Sequence, residues 1–343
     1  MPNGFDELLS LLGSDAITFQ SPSARVALCP TLTGRVFAEV GGRLLHRVDL
    51  DAVAHPDKPF NNFGGNNLWP APEGGPFAFN YNGDTWQVQP CINGEAYGVI
   101  RADATSAEIE KKVVLRNRAG VELQVRMTRE FRLTEAPGWV CACPAAQSLS
   151  YTFRDTLTVL NDVPSSKALI AAWTLEQFDA TPATVSFCGV DNPRSEINFD
   201  FYAHPRERIA YRRNGFTYQT DGRARGQIGV PASAAARFIG FHDRPSGLLC
   251  LRRNENLGRG TYFNMADNAQ AGGPFSAADA YSIFNSDPDM GAFELETVGG
   301  ADIVEGRLVG SELLSSTTFL RYDEGADIGA FLDRHLGPVE SRP

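Results

Sequence analysis

The chain has 343 residues, of which 43% are hydrophobic and 21% are charged, an ordinary balance for a globular protein. Its formal net charge of −10 argues against binding to nucleic acid or to anionic membranes, because both need a positive protein surface. No apolar run approaches about 18 residues, so no transmembrane helix is expected. The start of the chain lacks the basic region of a signal peptide, and a cytoplasmic location is therefore the expectation.

Helical periodicity is confined to the two ends of the sequence. The N-terminal segment "FDELLSLLG" has the spacing of a short amphipathic helix that ends at Gly13. Near the C-terminus, "DIGAFLDRHLG" places an apolar stripe between Ile328 and Leu336, followed by Gly337 as a stop. We therefore expect short N- and C-terminal helices.

Alternation of apolar and polar residues dominates the rest of the chain. "RVFAEVGGRLLHRV" predicts a hairpin with Gly41 and Gly42 at its turn, and residues 108–134 predict a longer one. "RFIGFHDRPSGLLCLRR" predicts a third hairpin, which turns between Asp243 and Gly247. Many strands with few helices predict an all-β protein, a large antiparallel sandwich that forms a single domain over residues 1–343.

The sequence lacks the common cofactor and metal motifs. It contains no GxxxxGK[ST] loop, no GxGxxG after a strand and no HExxH, so neither a cofactor nor a metal is expected. Its six cysteines form no CxxC pair, and most of them lie among apolar residues. We interpret them as small core residues.

Three segments carry a resemblance to a known superfamily. "GGNNLWPAPEGGPF" (64–77) resembles the Gly-Gly and Trp-Pro stretch of hexose-6-phosphate epimerases, which belong with aldose 1-epimerases to the galactose mutarotase-like superfamily. "LTVLNDVPSSKALIAAWTLEQF" (157–178) resembles a strand pair of that superfamily, and "GAFELET" (291–297) resembles its late Leu-Glu-Thr strand. The segments occur in the same order, and the fuller first motif is closest to uncharacterised bacterial members.

The resemblance implies a β-supersandwich with a curved face that holds a sugar. It also implies an epimerase mechanism, in which a carboxylate takes the anomeric hydroxyl proton and an acid, usually histidine, protonates the ring oxygen. Glu296 matches the carboxylate. At the two places where the superfamily has histidines, this chain has Trp173 and Asn93.

The loop around the first motif offers further candidates for substrate binding. Trp69 suits stacking on the apolar face of a sugar, and Asn66 and Asn67 carry donors and acceptors suited to hydroxyl groups. Each also has a structural interpretation, since Trp69 fits a core and asparagines form turns. Glu73 fits either a second carboxylate of the cleft or a solvated loop charge.

The strand that carries Glu296 also carries Glu294, two residues earlier. Residues two apart on a strand point to one face, so these carboxyl groups are expected about 7 Å apart. A solvent-facing strand edge is the alternative. Asp267 and Asn285 lie in the irregular stretch before this strand, and such stretches are often functional.

Two functions of different classes remain open for this sequence. One is an isomerase of a sugar or sugar derivative, with Glu296 as the base. The other is a noncatalytic carbohydrate-binding protein on the same scaffold. A glycan lyase or hydrolase is a third, weaker hypothesis. In either of the first two cases we expect Trp69, Trp173 and Glu296 around one pocket, with residues 262–285 in its wall.

Overall fold

The computed structural model describes residues 4–140, 147–201, 205–265, 277–322 and 328–340. Half of the chain (50%) is strand and 14% is helix. Every pairing in the two large sheets is antiparallel. The predicted all-β antiparallel class is therefore confirmed.

The two predicted terminal helices are present. In the described part of the chain the α-helices are α1 (Gly4–Leu12), α2 (Leu50–Ala54), α3 (Pro90–Asn93) and α4 (Ile328–Leu336), and short 3-10 helices add further turns. The stripe of α4 is buried as predicted, and Gly337 follows with a φ of 73°, a left-handed conformation that favours glycine. None of the helices described has both the length and the apolar character needed to cross a membrane.

The strands follow the alternating segments of the sequence. In chain order the first eleven are β1 (Ile17–Ser21), β2 (Ala24–Cys29), β3 (Arg35–Val40), β4 (Arg43–Leu44), β5 (Gly65–Ala71), β6 (Tyr81–Asn82), β7 (Thr85–Trp86), β8 (Gly98–Ala102), β9 (Ser106–Arg116), β10 (Glu122–Thr134) and β11 (Gln147–Val159). The others are β12 (Ala171–Asp179), β13 (Thr184–Gly189), β14 (Ile209–Arg212), β15 (Gly215–Gln219), β16 (Gly226–Pro231), β17 (Phe238–Asp243), β18 (Leu248–Asn254), β19 (Asp279–Asn285), β20 (Ala292–Val298), β21 (Gly300–Val304) and β22 (Arg307–Arg321).

Two large sheets and one small hairpin account for the strands described. The nine-stranded sheet has the order β1-β2-β3-β5-β12-β20-β19-β16, with β4 on β3. The eleven-stranded sheet has the order β14-β15-β13-β17-β18-β22-β11-β10-β9-β8, with β21 on β22. The third sheet is the short hairpin of β6 and β7.

The three hairpins predicted from the sequence are confirmed. Strands β3 and β4 pair across Gly41 and Gly42, which have φ values of 57° and 75°. Strands β9 and β10 pair along most of residues 108–134. Strands β17 and β18 pair across the segment that ends at Gly247, which also has a positive φ.

The two large sheets pack face to face over a shared interior. Its largest hydrophobic cluster joins Leu68 and Ile283 of the nine-stranded sheet to Met127 and Phe153 of the eleven-stranded sheet. A buried arginine, Arg129 of β10, crosses this interior to β5. This arrangement agrees with one domain over residues 1–343, which stays a prediction.

The side of the nine-stranded sheet that faces away from the other sheet carries the candidate site. Strands β5, β12, β20, β19 and β16 lie next to one another in this sheet. Every second residue of a strand points to one face, so these five strands together form a floor of alternate side chains.

Candidate functional site

A cavity of about 530 Å³ opens on this outer face. Its volume lies within the range of small-molecule sites. The lining combines six aromatic side chains with three carboxyl groups, a guanidinium and two amides. The residues are Phe60, Asn62, Trp69, Glu73, Tyr81, Trp86, Trp173, Leu175, Arg225, Gln227, Phe284, Met290, Glu294 and Glu296.

Cross-strand register brings the floor of the cavity together. Trp173 of β12 lies opposite Trp69 of β5, so the two indoles are neighbours. On its other side β12 pairs with β20, which sets Leu175 opposite Glu296 and Gln177 opposite Glu294. Because paired residues share a face, the strand order alone aligns the carboxyl groups with the aromatic wall.

Glu296 lies at the bottom of the cavity and is 1% exposed. Trp173 donates its indole N–H to Oε2 at 3.0 Å, and Gln227 donates from Nε2 to the two carboxyl oxygens at 3.2 and 3.3 Å. Burial raises the pKa of Glu296 well above its usual value, and the charges of Glu294 and Glu73 raise it further. These surroundings therefore favour the protonated form of the carboxyl group.

Glu294 is only partly buried and has a different set of neighbours. Gln177 donates from Nε2 to its Oε1 at 2.6 Å. Burial raises the pKa of Glu294, whereas this hydrogen bond and the positive charges of Arg35, Arg47 and Arg225 act in the opposite direction. The two carboxyl groups thus share one face but differ in their electrostatic surroundings.

A series of aromatic rings connects the mouth of the cavity to its floor. Phe60 packs edge-on against both Trp86 and Trp69, with ring centroids 5.2 and 6.1 Å apart. Trp69 in turn packs edge-on against Trp173 at 5.9 Å. Trp86 is 40% exposed and Trp173 only 2%, so the series runs from solvent inward. At the mouth, Trp86 donates its indole N–H to Glu73 Oε1 at 2.9 Å.

Five of the residues proposed from the sequence come together in this cavity. They are Trp69, Glu73, Trp173, Glu294 and Glu296. The structure thus places three separated segments of the sequence, around residues 64–77, 171–179 and 291–297, in one site. The roles of these residues stay predictions.

Three of the other proposed residues do not line the cavity. Asn66 faces the interior between the sheets, where its Oδ1 accepts a hydrogen bond from Arg129 at 2.7 Å. Asn67 is buried on the same face as Trp69, and its amide has no hydrogen-bond partner among the described residues. Asn285 holds a turn, since its side chain accepts from the Gly222 N–H at 2.8 Å and donates to the Ala224 carbonyl at 2.7 Å.

As far as it is described, the segment before β20 supplies fewer residues to the lining of the cavity than the sequence predicted. Asp267 lies outside the described residues, as do all residues between 266 and 276. Within the expected wall segment 262–285, Phe284 is the residue of the described part that lines the cavity.

Several lining residues were missed at the sequence level. Gln227 comes from β16 and Arg225 from the turn before it, a segment for which no strand was predicted. The alternation of Gln227 with Ile228 and Val230 is a strand pattern, and it was the available indication. Phe60 and Met290 lie outside the strands, and Tyr81 begins the two-residue strand β6. No periodicity in the sequence therefore indicates these residues.

None of the described residues that line the cavity is a histidine. Asn93, at one position that the superfamily gives to histidine, accepts a hydrogen bond from Arg35 at 2.7 Å and lies outside the lining. His46 lies between the sheets: its Nδ1 accepts from the Ala38 N–H at 3.0 Å, so its Nε2 donates to Glu176. Within the described chain, no group of three or more His, Cys, Asp or Glu side chains is placed to hold a metal ion.

Solved structures with a similar course of the chain come from bacteria and an animal. A proposed aldose 1-epimerase from Escherichia coli K12 is 14% identical with a TM-score of 0.49, over 89% of this chain and 98% of that one. A galactose mutarotase related enzyme from Lactobacillus acidophilus is 9% identical with a TM-score of 0.47, over 90% and 98%. An aldose epimerase homologue from C. elegans is 8% identical with a TM-score of 0.48, over 90% and 99%.

No curated protein matches the chain. A family model covers residues 7–307, which is most of the sequence. The chain therefore belongs to the family of unknown function DUF6786.

Proposed function

We propose that this protein is a sugar isomerase of the aldose 1-epimerase type, in which Glu294 and Glu296 form the acid–base pair. The observation that supports this most is the pair itself: two carboxyl groups on one face of β20, at the floor of an aromatic cavity, with unlike neighbours. Ring opening needs one group that accepts the proton of the anomeric hydroxyl and a second that protonates the ring oxygen. Paired groups whose pKa values are set apart by their surroundings supply both.

The surroundings assign the two roles. Glu296 is buried and held by neutral donors, which favours its protonated form, so it serves as the acid that protonates the ring oxygen. The positive charges of three arginines oppose the rise in the pKa of Glu294. Glu294 is therefore the group that ionises first, and it serves as the base. As the base takes the hydroxyl proton, the anomeric carbonyl forms and the bond from the anomeric carbon to the ring oxygen breaks. Rotation and the reverse proton transfers close the ring on the other face.

This assignment changes the role of Glu296 from the base that the resemblance implies to the acid. The superfamily pattern pairs its glutamate with histidine, and no described lining residue is a histidine. Glu296, whose surroundings favour the protonated form, takes the donor role, and Glu294 supplies the base.

The rest of the lining suits a sugar. Trp69, Trp86 and Trp173 offer aromatic faces and edges for the C–H surface of a pyranose. Asn62 and Gln227 offer amide donors and acceptors for hydroxyl groups. A cavity that combines a large apolar wall with a few polar groups is the usual form of a small-molecule site.

A noncatalytic carbohydrate-binding protein is the second candidate. The specific observation in its favour is that Trp173, Gln227 and Gln177 already hold the two carboxyl groups by hydrogen bonds. Carboxyl groups fixed in this way are also good acceptors for sugar hydroxyls, with no proton transfer required.

Anomer exchange measured by NMR on hexoses, pentoses, uronates and sugar phosphates separates the two candidates. We expect exchange above the buffer rate for at least one sugar, and a fall of about 10²–10⁴ in rate for both Glu294→Gln and Glu296→Gln. The matched control is Glu122→Gln, a change of an exposed glutamate on the other sheet. Exchange at the buffer rate with every sugar that binds would reject the isomerase and leave the binding protein.

A further inference from the structure

A second cavity of about 400 Å³ adjoins the first. Tyr81 lines both cavities, so the two spaces meet at this side chain. The chemistry of the second lining is different, since it is dominated by amides and guanidinium groups. The residues that define it are Tyr81, Asn82, Gln87, Gln89, Arg116 and Arg118.

The hairpin of β6 and β7 lies where the two cavities meet. Tyr81 pairs with Trp86 and Asn82 with Thr85. Tyr81 and Trp86 line the first cavity, whereas Asn82 and the neighbouring Gln87 line the second. A single short hairpin therefore presents an aromatic side to one space and an amide side to the other.

Arg118 holds this hairpin in place. Its guanidinium lies over the Tyr81 ring, 5.7 Å from the centroid, and forms an ion pair with Asp84 in the hairpin turn. The Arg118 backbone N–H donates to the Ala78 carbonyl at 2.8 Å, just before the hairpin. The hairpin is thus anchored from the loop that follows β9.

The amide side chains of the second cavity differ in how far their hydrogen bonds are already made within the protein. Gln89 is structural: it donates to the carbonyls of Phe79 and Arg116 at 2.6 and 2.9 Å and accepts from the Arg116 N–H. Asn82 and Gln87 are exposed and share one weak bond, from Asn82 Nδ2 to Gln87 Oε1 at 3.3 Å. That bond leaves an acceptor on Asn82 and an N–H donor on Gln87 for hydroxyl groups of a ligand.

We propose that the two cavities are consecutive subsites for a reducing oligosaccharide, with the reducing-end sugar in the first cavity and the next sugar in the second. The inference rests on the proposed function, because it places the reacting anomeric carbon beside Glu294 and Glu296. It narrows the substrate class from free monosaccharides to chains of two or more sugars. The aromatic cavity holds the reacting sugar ring. The amide cavity binds the hydroxyl groups of the next sugar through hydrogen bonds.

Calorimetric titration tests the second subsite directly. The probes are glucose beside maltose, cellobiose and maltotriose, and mannose beside a reducing mannobiose. We expect at least one oligosaccharide to bind about tenfold more tightly than its reducing-end monosaccharide. Asn82→Ala and Gln87→Ala should each remove about three- to tenfold of that gain and leave monosaccharide affinity unchanged, the size of one or two hydrogen bonds. Gln124→Ala, an exposed amide on β10, is the matched control.

The outcomes separate this inference from the proposed function. Equal affinity for the short and the longer sugars, or a gain that survives in both variants, would overturn the second subsite even if anomer exchange is fast. A gain that the two variants remove, without anomer exchange, would support the subsite and reject the isomerase. Absence of binding by every sugar would overturn both.

Discussion

Trp173 donates its indole N–H to Oε2 of Glu296 at 3.0 Å, from the strand next to the one that carries the glutamate. The same indole packs edge-on against Trp69. One side chain therefore orients the carboxyl group and closes the aromatic wall above it. A neutral donor fixes the direction of the carboxyl group without supplying the positive charge that would ionise it, which suits an acid.

The change Trp173→Phe removes the donor and keeps an aromatic ring. We expect turnover to fall about tenfold to a hundredfold, because the carboxyl group loses its orientation. The indole hydrogen bond lowers the pKa of Glu296, so its loss raises that pKa further. An acid works only while protonated, and the alkaline limb of the pH–rate profile should therefore move to higher pH. The control is Trp139→Phe, a partly buried tryptophan outside the cavity; a profile that is unchanged in the Trp173 variant would contradict the role.

Trp86→Ala should weaken sugar binding by about fivefold, the size of one aromatic contact. The ring is 40% exposed at the mouth and packs against Phe60, so its removal leaves the floor of the cavity intact. Titration calorimetry measures the affinity. Trp86→Phe should recover most of it, since a ring face remains. Equal affinity of the alanine variant and the wild type would place the sugar away from Trp86.

Asp279 should make the stability of the protein depend on pH. It is fully buried at the start of β19, Asn198 donates to its Oδ2 at 2.8 Å, and burial raises its pKa from 3.8 to about 7. Between these two values the folded state holds the proton more firmly than the unfolded state, so stability falls as pH rises, by up to roughly 1.4 kcal/mol per pH unit.

Urea unfolding of the wild type and of Asp279→Asn between pH 4 and pH 8 measures this slope. The asparagine has no proton to lose, so the decline that belongs to Asp279 should disappear in the variant. Asp302→Asn, a change of a surface-accessible aspartate on β21, should leave the slope unchanged. Parallel curves for the wild type and Asp279→Asn would show that the group titrates alike in the folded and unfolded chains.

Arg252→Met should destabilise the protein by about 3–5 kcal/mol, because it leaves Glu176 buried without its cation. Arg252, His46 and other neighbours together outweigh burial and hold the pKa of Glu176 at about 2, so the glutamate is ionised in the wild type. The double variant Arg252→Met with Glu176→Gln should regain part of the loss. Denaturant unfolding measures each step, with exposed Arg132→Met as the control. A loss below about 1 kcal/mol for the single variant would mean that the ion pair is not needed.

Local patterns in the sequence determined the class of the fold. The alternation across residues 108–134 and the glycines at 41 and 42 specify hairpins, because side-chain period and turn geometry depend on neighbouring residues. The same period places Glu294 and Glu296 on one face of β20. The motif resemblance added the expectation that Trp69, Trp173 and Glu296 share a pocket, and all three line the cavity.

Only the tertiary structure decided which face and which partners each residue has. Adjacent asparagines show this: Asn66 turns to Arg129 in the interior and Asn67 to the opposite face, since alternation separates them but does not say which face is the site. Gln227 reaches Glu296 because β16, β19 and β20 pair across long stretches of chain. Strand order and inter-sheet contacts arise from packing between distant segments, so a short window of sequence does not determine them.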